Sequence, residues 1–246
     1  MNKPKAVLFD VDDTLYGRVQ PFIRTCETLL SPRIQLDWVE LYRVRNIYSD
    51  EVFEASQKGD MSMEDMYVYR LSNALNDFGY DITREEVIAF DKQYERFQGE
   101  IVLDNLAPAY LTRLKDAGIE LGIITNGPSA HQRNKITSLN IESWIPREHW
   151  CISGEVETVK PHKEIFEKGL HMINQTFSDL AKTLSPADCW FVGDNFELDV
   201  MASKAAGFTA VWFNRRKEAL PENAPFSPDF QVENAKEFLA LVESVI

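Results

Sequence analysis

Three aspartates, Asp10, Asp12 and Asp13, follow almost directly on the apolar run Ala6-Val7-Leu8-Phe9. Like charges repel at this spacing, so their crowding calls for a counter-charge. Further along, Thr125-Asn126 closes a second apolar run, Lys160 lies in the loop beyond a third, and Asp194 closes a fourth. Carboxylates, a hydroxyl and an amine are the groups that phosphoryl chemistry requires. Hydrolysis of a phosphate monoester has one of the highest uncatalysed barriers known, with accelerations of up to about 10²¹-fold. A single general acid contributes only about 10² to 10⁴. A covalent route and strong charge stabilisation are therefore both needed. A carboxylate cannot meet a phosphate dianion unaided, and a hard cation such as Mg²⁺, which takes one or two carboxylates and a phosphate oxygen, bridges the two.

Each residue then has a candidate task. Asp10 and Asp194 can supply the carboxylates, and Lys160 can neutralise a second phosphate oxygen. The Thr125 hydroxyl, with nearby backbone N–H groups, can hold a third. Asp12 lies two residues from Asp10, so in an extended segment it can point along the same side and protonate the leaving oxygen. Taken singly, these residues have ordinary explanations: an Asp after a strand is commonly a turn or cap residue, and a Lys is commonly solvated. Asp13 and Asn195 keep that ordinary reading. The joint occurrence at successive strand ends is what points to a site.

Those strand ends belong to five short apolar runs: 6–9, 119–124, 149–153, 189–192 and 208–213. Their lack of clean alternation is expected of strands covered on both faces. Helical patterns lie between them over 108–117, 163–174 and 198–206, and a last one spans 234–246. Alternation of this kind predicts an α/β fold, a Rossmann-like doubly wound parallel sheet, whose ligands bind beyond the carboxyl ends of its strands. Residues 16–100 have a different texture, with no strand-like run and helical patterns near 19–30, 36–57, 63–78 and 84–98. Ser62 and Thr83 are N-cap candidates, the latter with Glu86 at capping-box spacing. Gly59, Gly79 and Gly99 each fall where a left-handed C-cap is wanted. The stretch is expected to be an all-helical cap domain of residues 16–100, inserted between the two parts of the core, 1–15 and 101–246. The Pro-rich piece 221–230 reads as a surface loop.

Composition limits the partners. The 246 residues carry a net charge of -13, which argues against a nucleic-acid polymer or an anionic membrane surface. Three cysteines without CxxC spacing suit a reducing cytosol. The N-terminal apolar stretch is too short for a signal peptide, and no run reaches membrane-spanning length. A cytoplasmic protein acting on a small phosphorylated metabolite is expected. Within 16–45, Arg18, Arg24, Arg33, Arg43 and Arg45 outnumber Glu27, Asp37 and Glu40. That local balance could draw in an anion, although a solvated helix face explains each arginine equally well.

The stretches FDVDDTL (9–15), IITN (123–126), VKPHKEIF (159–166) and VGDNFELD (192–199) resemble, in order, the four motifs of the haloacid dehalogenase superfamily. The resemblance implies a core of five parallel strands with a helical cap inserted after the first motif. It implies Asp10 as the nucleophile that forms an aspartyl-phosphate and Asp12 as general acid and base. Thr125, within the second motif together with Asn126, would bind phosphate, and Lys160 would orient and neutralise it. Mg²⁺ would be held by Asp10, Asp194 and the backbone carbonyl of Asp12, with Asp199 supporting the metal waters or Lys160. Members that cleave carbon–halogen bonds lack the second aspartate, so Asp12 favours a phosphohydrolase; sugar-phosphate mutases share the same set. The opening FDVDDTLY and the third of these stretches are similar to those of cytosolic nucleotidases acting on pyrimidine monophosphates, which makes a nucleoside monophosphate one expected substrate. Phospho-acceptor signalling domains use similar groups, but there the acceptor Asp closes the third strand and the chain is about half as long.

Overall fold

Ala6–Phe9 (β1) is buried along its whole length, paired on both edges by neighbouring strands and covered on both faces by helices. Glu120–Thr125 (β2) pairs with it on one side, Cys189–Gly193 (β4) on the other, both in parallel. Trp150–Ile152 (β3) extends the sheet beyond β2, and Thr209–Phe213 (β5) extends it beyond β4. A sixth parallel strand, Phe230–Val232 (β6), closes the edge, giving the order β3-β2-β1-β4-β5-β6. The expected five strands are thus six, the last emerging from the end of the Pro-rich piece. The order reverses between β1 and β4, and such a switch point is where doubly wound sheets bind ligands. The computed structural model describes residues 3–58, 60–176 and 183–246.

Helices cover both faces of the sheet. On one face, Leu8, Ile124, Cys151 and Phe191 pack against Ile165, Phe166 and Ile173 of a helix at Lys163–Thr176. On the other, Phe9 and Phe213 contact Phe238, which meets Tyr110 edge-on at 4.8 Å between ring centres. The chain divides into two compact units, one of Met1–Gly17 with Val102–Ile246 and one of Arg18–Ile101. The second unit is helical: Val19–Leu29 (α1), Trp38–Lys58 (α2), Met63–Asp77 (α3) and Arg84–Gln98 (α4). Its interior holds Phe22, Cys26, Leu41, Leu71, Leu75 and Phe90. In the sheet unit, Ala107–Asp116 (α5), Ser129–Ser138 (α6), Ser153–Val156 (α7), Lys163–Thr176 (α8), Ala202–Ala205 (α9) and Ala235–Val245 (α10) complete the set. Among the described residues no helix is long and apolar enough to cross a membrane. All three cysteines are free and buried.

Local signals carried through where side chains could act alone. Ser62 accepts from the Asp65 N–H, and Thr83 and Glu86 form both halves of a capping box. Gly79 adopts the left-handed conformation, φ +79°. Gly99 does not: at φ -76° it continues the helical turn, donating to Glu95 O and Arg96 O. Gly59 lies outside the described residues. Since the Thr83 hydroxyl caps an exposed helix end, Thr83→Ala should cost about 1 kcal/mol. A denaturant midpoint that does not move would show the cap to be idle.

Two helical segments also differ from expectation. α6 was not anticipated, because SAHQRNKITS has almost no apolar stripe; it buries only Gln132 and Ile136. The helix expected over 198–206 starts instead as a wider π turn at Phe196–Met201, followed by α9.

Candidate active site

The strand register brings the singled-out residues to one edge of the sheet. Phe9 lies opposite Ile123 and Val192, so Asp10, Thr125 and Asp194 emerge side by side from β1, β2 and β4. The Asp10 N–H continues the ladder to Val192 O at 2.8 Å. Lys160 arrives from the loop before α8, and its Nζ donates to Asp10 Oδ1 at 2.6 Å and to Asp199 Oδ1 at 2.7 Å. These three charged groups and Thr125 are almost fully buried. Asp199 is presented by the π turn and also accepts from the Asn195 N–H at 3.0 Å. Widened turns of this kind recur at functional sites, where they re-aim a side chain.

Asn126 spends both ends of its side chain on Lys160: Nδ2 donates to Lys160 O at 2.9 Å and Oδ1 accepts from Lys160 N at 2.8 Å. It therefore fixes the backbone from which the lysine reaches out. Asp12 is turned toward other partners, accepting from Lys135 Nζ at 2.8 Å on both carboxylate oxygens and from the Tyr16 hydroxyl. Asp13 takes a left-handed turn, φ +58°, and Asn195 caps the following turn by accepting from Leu198 N, so turn and cap chemistry describes both.

Four neighbours of these residues went unseen in the sequence. Lys135 belongs to the unanticipated α6, and Tyr16 follows Asp12 by four residues. Arg215 donates to the carbonyls of Asp13 and Thr14 and pairs with Asp104, bracing the loop after β1. Arg216 pairs with Asp194. The same reading of strand ends finds both arginines, since Asn214-Arg215-Arg216 follows β5 directly.

The electrostatics fit a second cation. Burial, and then the charges of Asp199, Asp194 and Asp12, push the Asp10 carboxyl well above the usual range, with Lys160 pulling the other way. Burial alone would push the Lys160 ammonium down, but Asp10 and Asp199 hold it above the ordinary lysine range. Carboxylate oxygens of Asp10, Asp194 and Asp199 all lie within 4.8 Å of one another. The buried Lys160 ammonium and the half-exposed Arg216 still leave one of these three buried carboxylates without a counter-charge. Oxygen donors in this number and at this spacing suit a hard divalent ion.

Gly193 is required by the same crowding. A Cβ there would overlap Cβ, Cγ and Oδ2 of Asp199. Gly193→Ala should therefore cost about 1–3 kcal/mol and displace Asp199 from Lys160, lowering turnover as well. Wild-type stability together with wild-type rate in that variant would contradict this packing.

Fold and site together define a class: α/β enzymes with a helical insertion after the first strand and a buried carboxylate–lysine centre at the C-terminal edge of a doubly wound sheet. Residues 4–207 match the model of the haloacid dehalogenase-like hydrolases, and the chain belongs to that family. It is similar to a glyceraldehyde 3-phosphate phosphatase of Methanopyrus kandleri, at 24% identity over 98% of both chains. It is also similar to the N-acylneuraminate-9-phosphatase of Mus musculus, at 25% identity over 100% of this chain and 96% of the other. A phosphoserine phosphatase of Thermus thermophilus is 32% identical over 64% of this chain and 57% of its own. Among solved structures, the HAD-hydrolase YfnB of Bacillus subtilis superposes with a TM-score of 0.66 at 20% identity, covering 98% of this chain and 99% of that one. A dehalogenase superposes with a TM-score of 0.69 at 17% identity, covering 98% of each. These last two likenesses are of fold.

Proposed function

We propose that the protein is a Mg²⁺-dependent phosphatase that hydrolyses a small phosphorylated metabolite through a phosphoryl group carried on Asp10. The observation that carries this reading is the buried Lys160 ammonium, 2.6 Å from Asp10 and 2.7 Å from Asp199 at the sheet's switch point. The three curated relatives, all named as phosphatases of small monoesters, support the same reaction class.

In this reading an Asp10 oxygen attacks phosphorus, and the bond from phosphorus to the leaving oxygen breaks. Asp12 gives that oxygen its proton. Asp12 then takes a proton from water, the water oxygen attacks phosphorus, and the Asp10 carboxylate is restored as phosphate leaves. Lys160 neutralises one phosphate oxygen. The Thr125 hydroxyl and the backbone N–H groups about Asn126 hold another, while the Asn126 side chain keeps Lys160 in position. Lys135 and Tyr16 hold Asp12 between turnovers. Asp10, Asp194 and the Asp12 carbonyl would bind Mg²⁺, with Asp199 beside them; when bound, the ion supplies the charge that lets a carboxylate meet a phosphate dianion.

The test is phosphate release from purified protein, across phosphorylated sugars, phosphorylated acids and nucleoside monophosphates, with Mg²⁺ and with excess chelator. Hydrolysis of at least one class with Mg²⁺, abolished by chelator and regained on adding Mg²⁺, is expected. Undiminished activity in chelator would overturn the metal requirement, and no hydrolysis of any ester would overturn the activity.

A further inference from the structure

α6 turns two side chains inward, Gln132 and Ile136, and one of them is polar. Gln132 is 3% exposed, at a position where an apolar residue is the ordinary choice. Its Nε2 donates to Asn126 O at 2.8 Å. Its Oε1 is shielded from solvent and accepts from no group among the described residues. A buried acceptor left unpaired costs stability, so Gln132 is not the residue that stability alone favours here. What it contributes is its donor, and the donor goes to the loop that follows β2.

That loop is gripped at a single peptide unit. In the trans peptide joining Asn126 and Gly127, the carbonyl and the N–H point in opposite directions. Gln132 holds the carbonyl, and the Ser153 hydroxyl of α7 accepts from the Gly127 N–H at 2.9 Å. The peptide plane cannot rotate without losing one of these two bonds. Gly127 O in turn accepts from the Gly154 N–H at 3.2 Å. The fit is close: Gly127 has φ +143°, a region that favours glycine, and a Cβ there would come within 2.6 Å of Gln132 Nε2. From the held peptide, the Asn126 side chain makes its two hydrogen bonds to the Lys160 backbone, and Lys160 carries the ammonium 2.6 Å from Asp10. Contacts therefore run without a gap from Gln132 through Asn126 and Lys160 to Asp10.

We propose that Gln132 is a positioning residue: by clamping the Asn126–Gly127 peptide it sets the placement of Thr125, Asn126 and Lys160 around the transferred group. Its effect on rate rests on the phosphatase reading; the clamp itself does not. Methionine, of similar length, removes the unpaired Oε1 and deprives Asn126 O of its donor, so one unpaired acceptor is exchanged for another. Stability should then change little while positioning is lost, the reverse of what a residue that only packs would show.

The experiment compares the full chain with Gln132→Met, and Gln132→Leu serves should the methionine variant not fold. For an ester that the wild type hydrolyses, kcat should fall about 10- to 100-fold, as a displacement of up to about 1 Å would cause. KM and the denaturant midpoint should stay close to wild type. Hydrogen exchange at the Gly127 N–H, followed by NMR, should be on the order of 10-fold faster, the scale of one lost hydrogen bond. Wild-type kcat in the folded variant would overturn the proposal, as would a rate lost only together with a lowered midpoint and unchanged exchange at Gly127. Failure of the wild type to hydrolyse any ester would overturn the phosphatase reading instead. Gly127 exchange then decides alone, and exchange unchanged in the variant would overturn the clamp.

Discussion

Asp10→Asn should lose at least about 10⁴ in turnover of a generic aryl phosphate, the scale seen when the attacking group of a covalent mechanism is removed. The amide keeps the shape of the side chain but has no negative oxygen with which to attack phosphorus. The fold should survive the change. Lys160 keeps its contact with Asp199 at 2.7 Å, and one of the crowded carboxylates is neutralised. Melting at or above the wild-type temperature is therefore expected beside the lost activity. If the variant retained a tenth of wild-type turnover, Asp10 would not be the attacking residue.

Lys160→Met should damage both activity and stability. Losing a positioned, buried cation at the transferred group is expected to lower kcat/KM by about 10³. Two buried carboxylates, Asp10 and Asp199, would also face each other without the ammonium between them. Breaking a buried ion pair from one side costs about 3–5 kcal/mol. The pH dependence has a definite sign. Burial already raises the Asp10 carboxyl, and loss of Lys160 raises it further. A carboxyl raised in the folded state takes up a proton on folding, so its stability contribution is greatest at low pH and is lost as pH rises toward the folded value. The penalty of Lys160→Met should therefore shrink in mildly acidic buffer and grow in mildly alkaline buffer. Denaturant midpoints across that range read it out; a penalty independent of pH would mean that Lys160 packs rather than pairs.

The sheet was legible because residues buried on both faces leave continuous apolar runs, and all five of those runs are strands. β6 was not, because its three residues hold a single buried side chain, Val232, and follow a Pro-rich piece. α6 escaped for a similar reason, since a helix burying two side chains leaves no stripe to read. The strand ends were legible as a group, since carboxylates, a hydroxyl and an amine do not usually close successive strands by chance. The pairing of Asp12 with Lys135 spans 123 positions and has no local signature. The early arginines lay between the two cases. Arg24, Arg33 and Arg43 pair with Glu100, Glu86 and Glu40 at exposed positions, whereas Arg45 is buried. Charge counting cannot separate Arg45 from Arg43, but helical phase can, because Arg45 lies four residues after the buried Leu41 and on the same face.

Transfer of phosphorus to a side chain is the central claim, and acid quenching during turnover tests it most directly. Protein mixed with substrate and Mg²⁺, stopped within a turnover and digested in acid, should yield the peptide containing Asp10 heavier by one phosphoryl group. The added mass should be absent from Asp10→Asn and should disappear once the substrate is exhausted. A phosphoryl group recovered on another residue, or phosphate released in a burst with none ever on the Asp10 peptide, would contradict the account.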